Sequence, residues 1–169
     1  MQESLVAYAG DCVLRGDVEL GDGRLSDEVN ERELLTFRTA ILEALDDGHR
    51  VAMDELEVER RDLHVIEVNG RRGDPGRRMR TVEDRVVLEV GPFIVTGNLH
   101  RAPNTQPLAS LARWSKFVPV TDAELQLGHD APARHQDVLL VNRDRISKSH
   151  PLPHFPGKPD APWGRTATS

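Results

Sequence analysis

A chain of 169 residues with 38% hydrophobic but only 4% aromatic content must fill its core with Leu, Val and Ile rather than with rings. No apolar run reaches the ~18 residues of a membrane helix, and a single cysteine, Cys12, excludes an internal disulfide. The formal charge of −6 hides a split: residues 1–68 hold 18 acidic and 7 basic side chains and residues 69–169 hold 10 and 15, so the halves stand at −11 and +5.

The opening residues lack the basic start and long apolar stretch of a secretory leader, so a cytoplasmic location is expected. Two apolar-rich runs, 4–9 and 12–20, flank Gly10 and Asp11 and predict two strands joined by a tight turn. Gly16 interrupts the second run, and a glycine inside a strand marks a bulge or a close backbone approach. After the turn Gly21-Asp22-Gly23, Ser26 predicts a helix N-cap, with Asp27 and Glu28 in the first turn where the dipole favours negative charge. Leu25, Val29 and Leu34 are expected to face the core. Residues 34–45 contain AILEAL, a good helix former, yet the matching stretch 117–127 contains Pro119 and reads as strand. A strand over 34–42 is therefore expected, then a hairpin at 46–49 and strands over 50–59 and 63–68.

Residues 69–81 are rich in Arg and Gly and predict a linker or loop. Arg71, Arg72, Arg77, Arg78 and Arg80 would grip phosphates or an acidic partner surface there. A solvated linker is the plainer alternative. In the second half, Leu108, Leu111 and Trp114 are spaced i, i+3, i+6 and predict a helix face. Arg113, Trp114 and Lys116 place an aromatic among cations, a cluster suited to base stacking or to anchoring an interface. A core tryptophan with cations at its rim is the plainer alternative. Strands are expected at 138–142 and 145–147. Residues 151–169 hold five prolines and predict a tail that is extended or disordered unless docked, suited to a docking arm that orders on a partner.

The two halves echo one another. A shift of eighty-one residues carries Gly10 onto Gly91, Gly16 onto Gly97, Val6 onto Val87, Val13 onto Ile94 and Leu14 onto Val95. Beyond a two-residue insertion, a shift of eighty-three carries Leu35, Phe37, Ala40 and Leu42 onto Val118, Val120, Ala123 and Leu125. It also carries Leu56, Val58 and Leu63 onto Leu139, Val141 and Ile146. The expectation is a mainly β protein of two tandem small barrel or half-barrel units, with one short helix each, related by internal duplication. The divisions are 1–68, the linker 69–81, 82–150 and the tail 151–169.

No nucleophile elbow, phosphate loop or dinucleotide fingerprint is present. His150 and His154 are separated by two prolines, so they do not share a helix face, and no His/Cys spacing suits a metal. No catalytic residue, metal or cofactor is expected.

The segment GRLSDEVN, residues 23–30, resembles a family of short, uncharacterised bacterial β domains in which an R-L-S-D-x-x-N stretch follows a strand. Arg24, Ser26, Asp27 and Asn30, with Gly16 and Gly97, are the structural positions of that plan. The resemblance implies a fold and no activity. The order of strands is also similar to Sm-like barrels, which would put Asp27, Asn30 and Arg60 at RNA-contact places, although the first half is acidic.

The leading expectation is a non-enzymatic scaffold, adaptor or accessory subunit that binds a protein partner or self-associates. One alternative is RNA binding through the Arg-rich loop and residues 113–116. Another is a small-molecule sensor with a pocket between the units.

Overall fold

The computed structural model describes residues 1–69, 81–106, 108, 111 and 115–153. The first half runs β1 (Gln2–Ala9), β2 (Cys12–Glu19), α1 (Leu25–Glu31), β3 (Leu34–Ala44), β4 (Arg50–Glu59), a 3-10 turn (Arg60–Asp62) and β5 (Leu63–Glu67). The second half runs β6 (Val82–Val90), β7 (Phe93–Arg101), β8 (Phe117–Leu127), β9 (Arg134–Asn142), a 3-10 turn (Arg143–Arg145) and β10 (Ile146–Pro151). All ten strands belong to one antiparallel sheet in the order β10-β6-β7-β8-β9-β5-β1-β2-β3-β4. The mainly β expectation holds. The expected barrel does not close: among the described residues β10 and β4 are the two edges of an open sheet.

Strand for strand, the halves follow the same order. Within each, the last strand pairs with the first and the remaining strands follow in chain order. The irregularities also recur. Between the pairs Arg15–Ile41 and Asp17–Arg38, Gly16 faces two residues, Thr39 and Ala40. Between Thr96–Glu124 and Asn98–Thr121, Gly97 faces Asp122 and Ala123. This is a β-bulge carried by β3 and β8 rather than by the glycine strand. Thr39 and Asp122 take left-handed φ values of 50° and 46° to form it. The glycines are required by the approach of the bulged strand: a Cβ on Gly16 would lie 2.9 Å from the Arg38 carbonyl oxygen, and one on Gly97 would lie 3.0 Å from that of Thr121.

Leu, Val and a few Phe residues build two cores. One gathers Val86, Leu88, Phe93, Val95, Val120 and Leu139 and takes Tyr8, Val13 and Val65 from the first half. The other gathers Leu5, Leu14, Leu25, Val29, Phe37 and Ile66 and takes Phe117 and Leu140 from the second. The central strands β5 and β9 feed both cores because successive side chains point to opposite faces. Val65 and Val141 enter one, Ile66 and Leu140 the other.

Several local expectations change. Ser26 is not the helix cap. Arg24 holds that place, its carbonyl accepting from Asp27 and Glu28, with no side-chain cap. Leu25 and Val29 are buried as expected, but Leu34 is half exposed. At Leu108 the φ of 66° is incompatible with an α-helix through that residue, although Leu108 and Leu111 do pack on the adjoining core.

Candidate functional site

The centre of the sheet is the joint between halves. There β5 pairs with β9 at Val65–Val141, Ile66–Leu140 and Glu67–Leu139. Glu67 is buried beside this joint, accepting a short hydrogen bond from the Tyr8 hydroxyl and a 3.3 Å ion pair from Arg134. Burial, then the bond to Glu67, pushes the Tyr8 phenol far above its ordinary range, so it stays a donor and Glu67 stays the acceptor. The joint also carries Asn142, whose amide donates to the Leu63 carbonyl at 2.7 Å, and Arg145, which donates to the Arg61 carbonyl at 2.9 Å.

Two further side chains tie the halves. Asn30, at the end of α1, accepts from the Phe117 N–H at 2.8 Å and donates to its carbonyl at 3.1 Å, as a neighbouring strand would. The same amide donates to the Ser26 carbonyl at 2.7 Å. Arg60, buried, donates to the Val29 and Asn30 carbonyls at the C-terminal end of α1. His64 lies where the first hairpin turns of both halves converge: Cβ atoms on Gly10 and Gly91 would meet its ring at 3.3 and 2.6 Å. Burial, with Arg145 adding, lowers the His64 pKa.

At the two ends of the sheet the same kind of strand lies open. On β9, Leu139, Leu140, Val141 and Asn142 are all buried. Their counterparts on β4, eighty-three residues earlier, are Leu56, Glu57, Val58 and Glu59, two of them half-buried and the two acids exposed. All five residues of β5 are buried, whereas β10 reads Ile146, Ser147, Lys148, Ser149, His150 and Pro151 and is largely exposed. The outer edge of β4 is acidic through Asp54, Glu55, Glu57 and Glu59, and that of β10 is basic through Lys148. An open edge presents a row of backbone donors and acceptors able to add another strand.

Other chemistry is sparse. A groove of about 520 Å³ beside α1 is lined by Leu20, Arg32, Leu34, Arg38 and Glu55. A cleft of about 240 Å³ is lined by Glu33, Glu59, Arg60, Arg61 and Lys116, the last from the second half. Among the described residues no cluster of three or more His, Cys, Asp or Glu side chains is placed to hold a metal. Burial raises the Cys12 thiol to about 11, leaving it a poor nucleophile.

Of the residues singled out in the sequence, Gly16 and Gly97 sit opposite the bulges and Arg24, Ser26 and Asp27 open α1. Asn30 and Arg60 are spent on backbone groups. Lys116 is exposed at the cleft, its carbonyl accepting from the Arg143 N–H at 2.7 Å. Arg71, Arg72, Arg77, Arg78, Arg80, Arg113 and Trp114 lie outside the described residues, as does most of the proline-rich tail. The open edges went unnoticed in the sequence, although the aligned positions carried a signal: Val65 and Ile66 stand where Lys148 and Ser149 stand in the other half. No family model, curated protein or solved structure matches the chain.

Proposed function

We propose that this chain is a non-enzymatic scaffold, adaptor or accessory subunit that binds a protein partner or copies of itself through the open edges of its sheet. The observation that carries the reading is the pair of exposed edge strands, β4 acidic and β10 carrying Lys148, whose counterparts, residues 139–142 of β9 and the whole of β5, are buried where they meet. The recurrence of both bulges and of the strand order supports an internal duplication with units near 1–68 and 82–150. A cytoplasmic setting suits a chain with a single, half-buried cysteine. The RNA contacts that an Sm-like plan would place at Asn30 and Arg60 are the weaker reading, because the Asn30 amide and the Arg60 guanidinium are already committed to backbone groups, while the Arg-rich loop of the RNA alternative lies outside the described residues.

The test is hydrogen exchange on the full chain, alone and dilute, then concentrated or with a stoichiometric protein partner from cross-linked extracts. Added protection confined to β4 or β10 amides is the expected result. A chain that stays monomeric at high concentration, and yields no stoichiometric protein complex, overturns the reading.

A further inference from the structure

We propose that copies of this chain join head to tail, with the outer edge of β10 in one copy adding to the outer edge of β4 in the next. The inference rests on the edge-binding reading above and names its partner and register. The shift of eighty-three residues that lays β3 (Leu34–Ala44) on β8 (Phe117–Leu127) also lays β5 on β10 and, in reverse, β9 on β4. Applied to the joint Val65–Val141, Ile66–Leu140, Glu67–Leu139, it sets Lys148 opposite Val58, Ser149 opposite Glu57 and His150 opposite Leu56.

Three observations lead to this pairing. The first is shape. The register of β5 against β1 breaks between Val65 and Leu63, and that of β10 against β6 breaks at the matching step, between Lys148 and Ile146. The second is apolar surface. Leu56 and Val58 are half-buried while Leu139 and Val141, in the covered strand, are fully buried, so a strand laid on β4 would shield them further, in this register with the His150 ring and the aliphatic stem of Lys148. The third is charge. Of the four acids on β4, Glu55 and Glu59 already face Arg38 and Arg61, which leaves Asp54 and Glu57 for an incoming strand, and β10 carries Lys148 and His150 with no acid.

The outer contact differs from the inner one in a way that sets its strength. Lys148, Ser149 and His150 replace Val65, Ile66 and Glu67, and Glu59, an acceptor only, stands where Asn142 donates to Leu63. Lys148 is also held by Glu89 at 3.4 Å. A lysine on an open edge repels indiscriminate strand pairing, and an acidic edge is the partner that tolerates it. The association is therefore reversible and weakened by salt. Because the two contacting surfaces differ, copies add in series and form rings or filaments rather than a two-fold dimer.

Cysteine pairing tests this in full-length chains carrying Cys12→Ser. Glu57→Cys and Ser149→Cys are placed in separate preparations, since directly opposed strand residues lie within disulfide reach. Mild oxidation of the mixture gives a disulfide-linked dimer, and neither variant alone does. Both residues sit on an edge strand, and matching melting curves confirm that the variants fold. In the otherwise unaltered chain, Lys148→Glu weakens self-association about tenfold. A link formed by Glu57→Cys alone, or by Ser149→Cys alone, overturns the register. No link, in a chain that still binds itself or another protein by its edges, overturns this arrangement and leaves edge binding standing. A strictly monomeric chain without partners removes both.

Discussion

Gly16 and Gly97 show how one missing side chain fixes the shape of a strand pair. Each faces a bulge whose backbone comes within van der Waals range of an added Cβ: 3.3 Å to the Ala40 Cα and 3.1 Å to the Ala123 Cα. These are backbone atoms locked in a ladder, so they cannot swing aside. Gly16→Ala and Gly97→Ala should each lose about 1–3 kcal/mol by overpacking, more than the ~0.4–1 kcal/mol gained from a stiffer unfolded chain. Urea unfolding of the two variants measures it, and a neutral or stabilising result would refute the close-approach account. His64 supplies a pH effect of definite sign. Its folded pKa is lowered, first by burial and then by Arg145, while Asp11 and Asp62 oppose the shift. The unfolded chain therefore takes up the proton first as pH falls. The stability tied to this residue is whole above the ordinary histidine range near ~6.5 and is lost as pH falls through that range toward the folded value. Comparing unfolding free energies between neutral and mildly acidic pH, His64→Gln should show a shallower acid loss than the parent chain.

The elements hold together through a few side chains acting as backbone. Helix α1 is only seven residues long and lacks a side-chain N-cap, so local propensity alone does not sustain it. It persists because Leu25 and Val29 are buried, Asn30 pairs with Phe117 of β8, and Arg60 donates to its last carbonyls. Asn30→Ala would leave the Phe117 N–H and carbonyl without that partner and should cost about 1–3 kcal/mol. The loss should appear as faster hydrogen exchange across α1 and the start of β8, and exchange confined to α1 would contradict the cross-half role. Much of this level could be read from residue order. The strands and the first hairpin follow from apolar runs punctuated by Gly10 and Gly48, and the strand at residues 34–42 followed from its Pro119-bearing counterpart. Ser26 has the chemistry of a cap, whereas the helix begins two residues earlier than that cap implies, at Leu25 with Arg24 in the cap position. The destination of Asn30 was illegible, since its partner lies eighty-seven residues away and only the fold brings the two together.

At the scale of the whole molecule, the sheet contrasts one closed joint, β5 with β9, with two open ends, β4 and β10, that hold the matching places in the strand order. The closed joint uses Ile66 against Leu140, both fully buried, and each open end puts a polar residue at that place, Ser149 and Glu57. Strand order is what reveals this. The matched positions of the two halves were visible in residue order, but which half's last strand meets which half's fourth is set by long-range pairing that no local pattern records. The contrast yields a sharp consequence. If polar substitution is what keeps the outer contact reversible, Glu57→Leu together with Ser149→Ile rebuilds the inner joint's pair at the outer position. Burying two such side chains contributes roughly 1.5–3 kcal/mol each, so self-association should tighten by about a hundredfold or more. It should also lose part of its salt dependence, because Glu57, one of the four β4 carboxylates, is gone while Lys148 remains. Sedimentation at low and high salt reads both effects. If the double variant binds itself no more tightly than the parent, the outer edges are not the counterparts of the inner ones in any energetic sense. If it instead precipitates without a defined stoichiometry, the exposed apolar edge recruits strands indiscriminately, and register is not what β4 and β10 encode.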